Sequence, residues 1–297
     1  MYRAVMLPLD GSQFSEQALP LASTLAQRCG AQLKVVHVHE PQSEPDWDEI
    51  TPFRYEGVER AEREWNGNAV KLEQEYLAQH IPAECKVIEG DVVACLEEEI
   101  ADSDPDLIVM ATHGRSGISR AWIGSVADNL VRHIHKPILL IRAREADQQS
   151  VELRTDNIMV TLDGSQLAES VLKHALEIAE PSKTRITLLR IVPPAYVATE
   201  FNALVQSDAR LRERVDAAHE YLNGLATKLG VEGYLVDTEV VVSAFAAGAI
   251  LDYAEQNNID VICMATHGRS GMKRLLLGSV ADKVLRGSNR PVLLYRP

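Results

Sequence analysis

Leu107-Ile108-Val109-Met110-Ala111-Thr112-His113-Gly114-Arg115-Ser116-Gly117 returns as Val261-Ile262-Cys263-Met264-Ala265-Thr266-His267-Gly268-Arg269-Ser270-Gly271, an interval of 154 residues. The first five positions of each stretch form a short, almost wholly apolar run, as expected of a central strand buried on both faces of a parallel sheet. Working outward, Gly124-Ser125-Val126-Ala127-Asp128 returns at the same interval as Gly278-Ser279-Val280-Ala281-Asp282. Leu9-Asp10-Gly11-Ser12 returns as Leu162-Asp163-Gly164-Ser165 at an interval of 153. So constant a register over both ends makes the chain two copies of one domain. We place the first copy at 1–143, a polar linker without apolar periodicity at 144–155, and the second copy at 156–297.

Each copy alternates short β-branched runs with longer amphipathic stretches, the pattern of βαβ units around a parallel sheet. Strands are expected at Arg3–Leu9, Gln32–His39, Glu84–Glu89, Leu107–Thr112 and Ile138–Arg142 in the first copy. In the second they are expected at Asn157–Leu162, Arg185–Ile191, Thr238–Val242, Val261–Thr266 and Val292–Tyr295. Ala18, Leu21, Ala22, Leu25 and Ala26 recur at helical spacing within Ser15–Cys29, and the acidic run from Glu56 to Glu75 reads as the solvated face of a second helix. The fold class is α/β: two repeated Rossmann-like or flavodoxin-like domains, each a five-stranded parallel sheet with helices on both faces.

Composition agrees with this and removes several functions. A chain of 297 residues suits two domains, and 46% apolar with 25% charged residues is ordinary globular usage. Lys and Arg number 30 against 43 Asp and Glu, so a net charge of −13 opposes a phosphate backbone or an anionic membrane. Aromatics at 5% leave little capacity for base stacking. Neither nucleic acid nor membrane is therefore an expected partner. Cys29, Cys85, Cys95 and Cys263 are widely separated and without zinc-ligand spacing, which predicts reduced thiols in apolar surroundings. Met1–Pro8 enters a strand-like run directly and no apolar run approaches the ~18 residues of a membrane span, so the cytoplasm is the expected compartment.

In an open α/β sheet, ligands bind beyond the carboxyl ends of the strands, where strand order reverses. The Asp10-Gly11-Ser12 turn follows the first strand and the glycine-rich segment follows the fourth. Gly124-Ser125 comes immediately before a helix, whose amino-terminal amides and dipole suit phosphate oxygens. The segment has no Lys after its glycines, so it is not a P-loop, and it lacks the G-x-G-x-x-G order. Ala111-Thr112-His113-Gly114, nine residues and then Gly124-Ser125 resembles the G-x-x-G-x9-G-[ST] motif of the universal stress protein family, and Ala265, Gly268, Gly278 and Ser279 follow the same plan. The resemblance covers both copies.

That resemblance implies an adenine-nucleotide site in each copy. Pro8 and Asp10 would border the nucleoside, Val38 would give an apolar wall for the base, and Met110 and Ala111 would pack near the ribose. Gly114 would border the phosphates, with Gly124, Ser125 and Val126 supplying amides and a hydroxyl. In the second copy the positions are Asp163, Ile191, Met264, Ala265, Gly268, Gly278, Ser279 and Val280. The implied ligand is ATP, with ADP and AMP as alternatives, and Mg²⁺ accompanying the phosphates. Two departures stand out: the first Gly of the motif is Ala in both copies, and Thr161 replaces Pro8 in the second. The family has ATP-binding and nucleotide-free members. The resemblance also implies that the copies pair through their last strands about a pseudo-twofold axis, with a homodimer as a further assembly.

The same residues have plainer uses. Glycines make turns, and Asp10 and Asp163 suit Asx-turns ahead of helices. His113 and His267 lack a nearby nucleophile and read as structural. His133 and His135 are matched by Gly287 and Asn289 in the second copy, against a metal pair. Arg115, Arg120, Arg269, Lys273 and Arg274 suit either phosphate neutralisation or loop solvation. No catalytic residue and no metal site is expected, so any ATP hydrolysis is slow, for want of a positioned base. The reading is an ATP-binding stress-response regulator. A nucleotide-free interaction or scaffold protein is the alternative, and an adenylate-forming enzyme is disfavoured because its Ser-x-Gly-Gly and His-x-Gly-His patterns are missing.

Overall fold

The apolar runs build strands because β-branched and long aliphatic side chains pack well on a pleated, doubly covered surface. In the computed structural model, which describes residues 1–40, 81–112, 123–142, 154–194, 201–267 and 277–297, these residues fall into two compact units. The first holds the described residues up to Leu130 and the second those from Val131 onward. The proposed helix bearing Glu56–Glu75, the loop residues His113, Gly114, Arg115, Arg120, Gly268, Arg269, Lys273 and Arg274, and most of the linker lie outside the described residues.

In the first unit the strands are β1 (Ala4–Leu9), β2 (Gln32–His39), β3 (Ala83–Glu89) and β4 (Leu107–Ala111), side by side in the order β3-β2-β1-β4 and parallel throughout. Every residue of β4 is buried. The single helix expected from Ser15 to Cys29 is divided into a short turn, α1 (Gln13–Glu16), and α2 (Leu19–Cys29). Ser12 caps α1, its Oγ accepting from the Ser15 amide at 3.2 Å. Helices α3 (Val92–Ser103) and α4 (Ser125–His133) follow β3 and β4. Asp106 fastens the base of the sheet, its carboxylate accepting from the amides of Arg3 at 2.6 Å and Ala4 at 3.2 Å.

The second unit contains β5 (Ile138–Ile141), β6 (Asn157–Thr161), α5 (Gln166–Glu169), α6 (Val171–Ile178), β7 (Arg185–Val192), α7 (Phe201–Val231), β8 (Leu235–Val242), α8 (Ala246–Gln256), β9 (Val261–Ala265), α9 (Ser279–Gly287) and β10 (Val292–Tyr295). Strands run parallel in the order β8-β7-β6-β9-β10, and β5 pairs antiparallel with β10. In local numbering this is 3-2-1-4-5, so the order reverses between β6 and β9. The ladder between these two strands ends at the pair Val160 and Cys263. Beyond it their carboxyl ends are free to part. Asp260 repeats the role of Asp106, accepting from the Asn157 amide at 2.9 Å.

None of the four cysteines is in a disulfide, and only Cys263 is buried, where burial pushes its thiol pKa up. Cys29, Cys85 and Cys95 are half-exposed, because each lies on an element only part covered.

Candidate functional site

The reversal between β6 and β9 opens a cleft of about 370 Å³ in the second unit. Its floor is the end of β9, Met264 and Ala265, with Ile191 of β7 beside them. One wall is Asp163, in the turn after β6, and the opposite wall is the start of α9, with Gly278, Ser279 and Val280. Seven of the eight second-copy residues expected at a site therefore line one cleft, and the eighth, Gly268, lies outside the described residues. Sequence reasoning missed Leu189, Ala246 and Ile250, which complete its apolar side. Leu189 was accessible in principle from the strand alternation, being two residues before Ile191 on the same face.

Asp163 is held by its own turn. Its Oδ1 accepts from the Ser165 amide at 2.9 Å and from the Ser165 hydroxyl at 2.6 Å. Ser165 Oγ in turn accepts from Ala168 N at 3.1 Å, capping α5. Asp10 makes the same pair of bonds to Ser12, at 2.9 Å and 2.6 Å. The Asx-turn is thus realised in both copies, and it aims each aspartate toward the carboxyl end of its sheet.

Gly278 behaves differently from the expectation that its amide would meet phosphate. That N–H donates to the Thr266 carbonyl at 2.9 Å, and Gly124 N donates to Thr112 O at 2.6 Å. A Cβ at Gly278 would stand 2.5 Å from the Thr266 oxygen, and one at Gly124 would stand 3.0 Å from Thr112 O. Each glycine lets a helix start press against the end of its strand, and its amide is spent in doing so. The amides left for a ligand are those of the first helical turn, Ser279 and Val280, and no side-chain hydrogen bond caps α9.

His267 lines the same cleft with its Nδ1 3.0 Å from Thr266 Oγ1. Among the described residues no group of three His, Cys, Asp or Glu side chains is placed to hold a metal. In the first unit Pro8, Val38, Met110 and Ala111 lie buried at the carboxyl ends of β1, β2 and β4, with Asp10 just beyond β1. Gly124, Ser125 and Val126 open α4, tied to β4 by the Gly124 to Thr112 bond.

The sequence model of the universal stress protein family matches residues 1–142 and again 154–296. The chain belongs to this family. It is thereby a tandem universal stress protein, one of a family of stress-response proteins. It is 25% identical to universal stress protein Slr1230 of Synechocystis over 98% of this chain and 99% of that protein. It is 24% identical to universal stress protein E of Escherichia coli K12, over 100% of this chain and 95% of the relative. The fold matches a crystal structure of a universal stress protein from Archaeoglobus fulgidus with a TM-score of 0.66 at 21% identity, covering 99% of this chain and 96% of that one. No helix among the described residues is long and apolar enough to cross a membrane.

Proposed function

We propose that this universal stress protein binds an adenine nucleotide, ATP in the first instance, in the second-unit cleft and at the equivalent position of the first. Occupancy then favours one loop conformation that a partner protein reads. The observation that carries this is the cleft itself. Its volume of about 370 Å³ falls within the ~300–1,000 Å³ of small-molecule sites. It sets an uncapped helix start, suited to phosphate, opposite a carboxylate suited to hydroxyl or amino donors. Ser279 and Val280 would hold the phosphates, Asp163 the nucleoside, and Ile191 and Met264 the base and ribose. Mg²⁺ would come with the phosphates. No base is placed against a nucleophile among the described residues, and turnover is expected to be slow.

Spending the two glycine amides on strand carbonyls favours a second reading, a nucleotide-free interaction protein. Ala111 and Ala265, where the motif has Gly, point the same way. One experiment decides between them. The purified protein is denatured, released small molecules are identified by chromatography, and ATP with Mg²⁺ is titrated by calorimetry. A bulky residue at Gly124 or Gly278 would make a poor control, since it collides with backbone. Ser279→Asp is better, because a carboxylate in the first turn suits the helix dipole while repelling phosphate. The expected outcome is bound or titratable nucleotide that Ser279→Asp removes from one site without lowering the thermal midpoint. No released nucleotide and no heat of binding would leave the interaction-protein reading in its place.

A further inference from the structure

The two copies share a backbone turn but differ beneath it. Pro8 pairs with Val36 in the first unit, and Thr161 with Leu189 in the second, so Arg190 of β7 occupies the position of His37 of β2. His37 is buried and its Nδ1 donates to the Leu9 carbonyl at 2.9 Å. Arg190 instead reaches under the turn at Asp163-Gly164. Gly164 is at φ +87°, and a Cβ there would meet the guanidinium at 3.0–3.1 Å, so the turn rests directly on that flat cation. The same guanidinium lies over the Tyr221 ring of α7, with 5.1 Å from Cζ to the ring centroid. Tyr221 donates its hydroxyl to Glu169 Oε1 at 2.9 Å, at the end of α5. Burial first, and then that hydrogen bond, raise the phenol pKa, so it remains a donor.

We propose that Arg190 is a positioning residue that clamps the Asp163-Gly164 turn between sheet and α7, presetting the Asp163 carboxylate for a nucleoside and making the second cleft the tighter of the two nucleotide sites. This rests on the nucleotide reading above. The clamp acts through order, since a turn already held loses less freedom when ligand arrives. It also acts through charge, since a guanidinium behind an acidic turn offsets repulsion of a polyanion. Leu189 and Ile191 line the cleft while Arg190, between them, points to the opposite face. The residue therefore works behind the site and does not touch the ligand.

The test uses the full chain with Arg190→His, the residue of the first copy, and Arg190→Lys, which keeps charge without the flat stacking surface. Without ligand, hydrogen exchange is read at the Ser165 amide, which Asp163 accepts, with the Ser12 amide as an internal control. Both variants are expected to speed exchange at Ser165 by about tenfold and leave Ser12 unchanged. Unchanged exchange at Ser165 overturns the clamp whatever the ligand. In ATP titrations of the same proteins, the tighter of two sites is expected to weaken about tenfold while the other holds. Faster exchange with unaltered affinity overturns the link to binding, and full rescue by Lys overturns clamping in favour of charge alone. If the unaltered protein binds no ATP, the nucleotide reading falls and takes the affinity claim with it, while the exchange result still decides the clamp.

Discussion

A methyl group at Gly278 would lie 2.5 Å from a backbone oxygen that has no rotamer to escape into, whereas at Gly124 the same approach is 3.0 Å. The two glycines, identical in motif, therefore differ in how much the fold depends on them. Gly278→Ala is expected to lower stability by about 2 kcal/mol, and Gly124→Ala by about half of that, because overpacking against fixed backbone forces the helix start away from its strand. Chemical-denaturation midpoints of the two variants check this, and a Gly278→Ala protein as stable as the parent would show that α9 can shift at no cost. The motif made both glycines visible in the sequence as ligand-side features. Their packing role was not visible, because the atom that demands it is the carbonyl of a residue twelve positions earlier in each copy, brought close only by the strand-to-helix return.

At the level of elements, the strands were largely legible and the helices less so. Alternation and apolar runs located the strands to within a residue or so, except β8, which begins at Leu235 where Thr238 was expected. Its first residues alternate exposed and half-buried and gain their order from a neighbour, with Arg185 Nη1 2.8 Å from the Asp237 carboxylate across the β7–β8 pair. Such edge pairing leaves no apolar signal. The break between α1 and α2 tempts an explanation from Pro20, yet the second copy breaks at Ser170 with Lys173 at the matching place, so the serine-capped first turn is the shared cause. Helix α6 also carries the clearest pH effect. His174 is buried with its ring 4.3 Å from that of Tyr295. Burial foremost, then Lys173 and Lys136, lower its pKa to about 4 against the opposing pull of Glu177. The unfolded chain, with the ordinary value of 6.5, binds more protons than the folded one between those limits. Stability therefore falls as pH drops from 6.5 toward 4, by about 2 kcal/mol. Leu21, fully buried at the matching position of the first copy, shows what fits there. His174→Leu is expected to flatten this slope in urea unfolding measured at pH 7 and pH 4.5, and an unchanged slope would assign the acid sensitivity elsewhere.

For the whole molecule, the repeat carried the most information, since a first strand beside the fourth in both copies brings the turn after the one near the helix after the other, and in the second copy the two line one cleft. The charge of −13 is a sum over the whole sequence, and a net count does not see the local features of the second-unit cleft, a helix start without a side-chain cap on one side and the Asp163 turn on the other. What the repeat did not reveal is that β5, encoded with the first copy, belongs by its contacts to the second unit. Leu140, Leu139 and Ile138 pair antiparallel with Val292, Leu293 and Leu294, and Arg142 Nη1 is 3.3 Å from Asn289 Oδ1. All four residues of β5 are buried. A chain of residues 154–297 would keep the second family match yet lack this strand, leaving an apolar edge with unpaired backbone groups on β10. Such an edge recruits another strand, and a twofold partner can offer its own β10 in the same antiparallel sense. Residues 154–297 are thus expected to sediment as a concentration-dependent dimer, whereas residues 131–297, in which β5 already covers β10, should unfold at a higher denaturant midpoint. A monomeric 154–297 fragment with the denaturation midpoint of 131–297 would show that β5 adds nothing to the second unit.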